Sequence, residues 1–93
     1  MTHQITEATE LALMEYDFYP VKGIEDLSAL MEFFYARQIL FFFKMDGERP
    51  VSQARYTLFI QKHGHILVRR DSSDWLEAVN SLFEEFIHTT LHA

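Results

Sequence analysis

The sequence contains no cysteine, only three glycines and two prolines, and no lysine or arginine beyond Arg70. Without cysteine there is neither a disulfide framework nor thiolate chemistry. For a domain this small, that favours a reducing compartment, and the cytoplasm is the expected location. Three glycines leave no phosphate-cradling loop. The longest apolar run, residues 39–43, is far too short to cross a bilayer. Residues 1–7 lack the basic and apolar regions of a secretory leader.

What is present is aromatic and unevenly charged. Ninety-three residues fit a single domain, 1–93, and nine Phe, four Tyr and one Trp supply the apolar surface that a disordered chain lacks. Residues 1–36 hold seven acids (Glu7, Glu10, Glu15, Asp17, Glu25, Asp26, Glu32) against Lys22. Residues 37–70 hold Arg37, Lys44, Arg49, Arg55, Lys62, Arg69 and Arg70 against Asp46 and Glu48. Asp71, Asp74, Glu77, Glu84 and Glu85 follow with no cation. The middle is basic, the flanks are acidic, and the net charge of -6 argues against non-specific binding to nucleic acid or anionic membrane.

Hydrophobic periodicity assigns the elements. Trp75, Leu76, Val79, Leu82, Phe83, Phe86, Ile87 and Leu91 recur at three- and four-residue steps, predicting an amphipathic helix over about 74–90. Asp74 with Glu77 resembles a capping box at its start. Ile24, Leu27, Leu30, Met31 and Phe34 predict a second helix over about 24–37. His63-Gly64 between two apolar stretches reads as a two-residue hairpin turn, because both positions need positive φ. That turn sets Ile60 opposite Leu67 and Phe59 opposite Val68. Tyr56, Leu58, Ile60 and Leu67 then share one face, and Phe59, Ile66 and Val68 the other. Residues 39–43, apolar throughout, read as a strand covered on both sides. Asp46-Gly47 marks a turn after it, and residues 48–53 read as a loop around Pro50.

Residues 5–19 carry two overlapping patterns. Ala12, Met14, Tyr16 and Phe18 alternate as in a strand, whereas residues 6–15 are good helix formers with Thr6 as a cap. The strand, over about 10–19, is the preferred reading. The expected fold is α+β in the order β-α-β-β-β-α: an antiparallel, partly mixed sheet of three to four strands with two helices packed on one face.

The residues that could carry chemistry do not assemble into a motif. His63 and His65 have strand spacing, but His63 falls in the turn, and His3, His88 and His92 lie near the termini without metal-ligand spacing. Glu84-Glu85 and Glu25-Asp26 read as solvated or helix-start charges rather than an acid–base pair. Ser28, Ser52 and Ser81 have no evident base, and Ser72-Ser73 read as caps. No catalytic, metal or cofactor site is expected, and the chain is not expected to be an enzyme. A small enzyme or ligand-binding domain stands as a further alternative.

Arg55, Arg69 and Arg70 beside Tyr56 and Phe59 raise the alternative of a nucleic-acid-binding domain built on residues 55–70. With residues 1–22 set aside, the element order resembles that of a double-stranded-RNA-binding domain. Such domains open their second helix with lysines that meet phosphate; this chain has Asp71-Ser72-Ser73-Asp74 there.

Two helices cover only one side of a sheet this apolar. Contiguous exposed apolar surface usually marks an interaction site. The expectation is therefore a small acidic protein-interaction module (regulator, adaptor or inhibitor), associating through an apolar sheet face as a homodimer or with another protein. The expected interface residues are Phe59, Ile66, Val68, Arg70, Phe41 and Phe43. In the competing arrangement, residues 1–20 fold across that face.

Overall fold

The structure is a computed structural model describing residues 6–50 and 53–92. The leader reading of residues 1–7 lies mostly, and His3 and the loop positions Val51 and Ser52 lie wholly, outside the described residues. The elements are α1 (Glu7–Leu13), α2 (Ile24–Ala36), β1 (Leu40–Met45), β2 (Tyr56–Lys62), β3 (His65–Ser72) and α3 (Trp75–Leu91). The class is α+β, with a three-stranded antiparallel sheet in the order β1-β2-β3.

The order at the start differs from expectation: residues 10–19 are not a strand. Thr6 caps α1, its Oγ1 accepting the Thr9 N–H at 3.1 Å, and Glu7 and Glu10 sit where the helix dipole favours acids. Thr9 and Leu13, four apart, form the buried stripe, whereas Met14, an inward position in the strand reading, is 77% exposed. Helical spacing, not alternation, decides which side chains reach the core. Tyr16 and Phe18 then enter it from turns, their rings 5.3 and 5.2 Å from that of Phe83.

The other helices lie where periodicity placed them. Asp74 caps α3 by accepting the N–H groups of Leu76 and Glu77, at 3.0 and 3.3 Å. The capping box is varied, because Ser72 rather than Glu77 accepts the Asp74 N–H and in turn donates to Glu77. Helix α2 starts at Gly23 without a side-chain cap; Asp26 turns back to accept the Lys22 N–H at 2.9 Å.

The hairpin turn forms as expected, with His63 at φ 53° and Gly64 at φ 80°. The register does not. An irregularity between Ile60 and Gln61 pairs Gln61 with Ile66 but Ile60 with Val68, leaving Leu67 as the extra residue. Beyond the bulge, β3 presents the opposite set of side chains from that expected. Val68 is buried beside Ile60, and Arg70 lies opposite Leu58.

All three helices stand on one side of the sheet. Leu58, Ile60 and Val68 meet Val79, Leu82, Phe83 and Ile87 of α3, while α2 contributes Leu30, Phe33 and Phe34. Helix α1 rests on α3. Thr9 Oγ1 lies 3.1 Å from His88 Nδ1, and Thr6 Oγ1 lies 3.3 Å from His92 Nε2. Asn80 ties the α1–α2 connection to α3, accepting the Val21 N–H at 2.7 Å and donating to the Val21 carbonyl at 3.0 Å. Residues 6–20 thus pack on the helical side, and no helix of the described residues covers the far side of the sheet.

Candidate interaction surfaces

Side-chain alternation gives the uncovered face three rows. Leu40, Gln61 and Ile66 form one, Phe42, Phe59 and Arg69 the next, and Lys44, Thr57 and Asp71 the last. The first two rows are largely apolar: Leu40 and Ile66 are about half exposed, and the Phe42 and Phe59 rings stack at 4.5 Å and 11°. Leu67, the bulged residue, is also exposed near the hairpin end. The last row is polar, and Asp71 is paired both within it and with the row before. Asp71 accepts from Thr57 Oγ1 at 2.8 Å and from Arg69 Nε at 3.1 Å. Those two donors hold its carboxyl below the usual carboxylate range.

Of the six interface residues expected from sequence, this face brings together Phe59 and Ile66. The other four point to the helical side. Val68 is core, and Phe41 stacks on Phe34 at 5.8 Å. Arg70 clamps β3 to α3, its Nε donating to Ser81 Oγ at 2.9 Å and its guanidinium pairing with Glu85. Phe43 turns its ring toward Tyr56 and Trp75, at 6.0 and 6.2 Å. The bulge moved the β3 pair. For β1, pairing Phe42 with Phe59 sends the odd-numbered phenylalanines inward. Leu40 and Phe42 are the residues of this face that sequence reasoning missed, and the alternation within residues 39–43 was the signal for them. The same alternation overturns the expectation of a strand covered on both sides.

A second apolar surface lies between α2 and β1. The Phe34–Phe41 stack seals the C-terminal half of α2 onto the sheet. Its N-terminal half stands off, leaving a cleft of about 620 Å³ lined by Ile24, Leu27, Met31, Phe41, Phe43, Met45, Tyr56 and Trp75. Every lining side chain is apolar or aromatic. The Arg55 guanidinium carbon lies 5.5 Å from the Tyr56 ring centroid, and Arg55 Nε is buried without a hydrogen-bond partner.

The remaining titratable groups do not converge. Among the described residues no three His, Asp or Glu side chains are placed to hold a metal ion. No helix of the described residues is long and apolar enough to cross a membrane. Tyr19 donates to Glu84, and burial, that bond and the charges of Glu84 and Glu10 push its phenol well above the usual value. Three arginines are paired: Arg49 with Asp46, Arg69 with Asp71 and Arg70 with Glu85. No family model, curated protein or solved structure matches the chain.

Proposed function

We propose that this chain is a small acidic protein-interaction module, not an enzyme, that self-associates as a homodimer through the uncovered sheet face. One observation carries the reading: the Phe42–Phe59 stack, with Leu40 and Ile66 beside it, sits on the side of the sheet that none of the described helices or turns covers. A twofold dimer applies one patch to its own copy, and a sheet face with an apolar end suits that geometry. The exposed acids of α1 (Glu7, Glu10) and α2 (Glu25, Glu32) stay outward, where they steer a basic partner surface of the regulator, adaptor or inhibitor kind. The cysteine-free composition fits work in the cytoplasm.

Size sets the expected affinity. Three strands at about 4.8 Å spacing and six residues at about 3.3 Å give a plane of about 14 by 20 Å. That is smaller than the ~800 Å² per partner of a standard interface, so the dimer is a weak, transient one. Nucleic acid gains no support from these surfaces. Arg69 and Arg70 are engaged by Asp71 and Glu85, and α3 opens on Asp74 and Glu77 without a cation.

Sedimentation across a concentration series tests the reading. The wild-type chain shifts from monomer to dimer as its concentration rises. Phe59→Glu, which places a charge in the centre of the patch, stays monomeric while its circular dichroism is unchanged. A wild-type chain that remains monomeric at the highest concentrations overturns the proposal.

A further inference from the structure

The cleft between α2 and β1 opens beside an unpaired edge of the sheet, and the two features together specify an occupant. We propose that an extended, cationic segment of another protein adds to β1 as a fourth strand, with alternate side chains entering the cleft. This site uses the edge and the helical side of the sheet, so it does not rest on the dimer through the far face.

The phase of the β1–β2 ladder decides which backbone groups are open. The Asp46 N–H donates to the Arg55 carbonyl at 2.7 Å, one step beyond the Met45–Tyr56 pair. Bonded and open pairs alternate in an antiparallel ladder, so Leu40, Phe42 and Lys44 bond to β2 as well. The N–H and C=O groups of Phe41, Phe43 and Met45 therefore point away from it. β1 is an outer strand, and no other strand flanks it among the described residues. The same three residues line the cleft with their side chains. An open ladder edge beside an apolar cleft is the combination that strand addition uses: main-chain bonds give affinity, and the cleft receives every second side chain. Open edges are commonly guarded by proline, bulges or charge. No proline or bulge interrupts β1, and its single charged residue, Lys44, belongs to the far face.

Charge selects the occupant. Ile24 and Met31 of α2 line the cleft, whereas Leu30 and Phe34 are core. At about 100° per residue, Glu25 and Glu32 fall on the opposite side of that stripe from the core, toward the open edge. Both acids are exposed, and α2 contains no lysine or arginine. An incoming strand that carries cations is complementary to this wall, and an acidic one is repelled by it.

The probe is a capped heptapeptide that alternates valine with threonine and has arginine at both ends. Trp75, the only tryptophan, lines the cleft and reports binding by its emission; amide exchange reports pairing. The expected result is saturable one-to-one binding, with exchange slowed about tenfold or more at the Phe41, Phe43 and Met45 amides. The same peptide with glutamate ends binds about tenfold more weakly. Only one residue phase of an added strand donates to β1, so of two further versions, N-methylated at the valines or at the threonines, only one loses binding. Met45→Pro removes an outward N–H while sparing the β2 ladder and weakens binding about tenfold, whereas Met45→Leu does not. The methylated peptides keep the test intact should Met45→Pro fail to fold. Phe59→Glu binds the peptide as the wild type does, so failure of the dimer leaves this result standing. No saturable binding, equal binding of both methylated versions, or undiminished binding of the glutamate-ended peptide overturns the proposal. So does slowing of the three amides by protein concentration alone, which would make a second copy the occupant.

Discussion

Both faces of the sheet carry large apolar side chains, yet the helices bury most of those on one face and, among the described residues, no helix covers those on the other. On the helical side, Leu58 and Ile60 are completely buried under α3, and the ring of Phe83 lies within 6.5 Å of those of Tyr16, Phe18, Tyr19, Phe33, Phe34 and Phe86. On the far side, Phe42 and Phe59 stack on one another beside their strand neighbours, and no helix of the described residues covers them. Apolar side chains stabilise a fold only to the extent that something covers them. The difference therefore separates residues that hold the monomer together from residues whose apolar surface stays exposed among the described residues.

The largest expected effect tests that separation directly. Phe83→Ala removes the ring on which six others converge and is expected to cost about 3–5 kcal/mol. Phe42→Ala, on the open face, is expected to cost the monomer less than about 1 kcal/mol and to weaken the proposed dimer. Urea denaturation at a concentration too low for association measures both. Comparable losses would erase the contrast between the faces.

Alkaline titration probes the helical side alone. The phenol of Tyr19 keeps its proton in the folded chain above the usual value near 10, whereas the unfolded chain loses it there. Its contribution is fully present below about pH 10 and is lost as pH rises further. The urea midpoint is expected to fall as pH rises above about 10, and Tyr19→Phe is expected to flatten that fall.

The smallest effect belongs to the polar row of the open face. The Asp71 carboxyl is depressed by hydrogen bonds from Arg69 and Thr57, so it stabilises the fold above the usual carboxylate range and loses that contribution as pH falls through its lowered value. The pair is substantially exposed, so Asp71→Asn is expected to cost less than about 1 kcal/mol at pH 7. Denaturation midpoints of the two chains should converge in strong acid.

Much of this organisation is legible in the residues. The stripes of α2 and α3, the Asp74 cap and the His63-Gly64 turn each depend on local chemistry and lie where local chemistry puts them. The class of fold follows. The misses are non-local or ambiguous. In residues 10–19, alternation and helical spacing coincide over too few positions to be told apart, and only burial of Thr9 and Leu13 separates them. The bulge at Ile60 and Gln61 carries neither glycine nor proline to announce it, yet it turns Val68 and Arg70 away from the open face. The α2–β1 cleft depends on how far a helix stands from a strand, which no periodicity encodes.

The contact between Thr6 and His92 brings the two ends of the described chain within hydrogen-bonding reach. The backbone is thereby almost a closed ring, so a short linker joining those ends would ask little extra ordering of the chain. New ends opened in the Asp46–Pro50 turn region would leave α1 and α3 neighbours and every strand pairing intact.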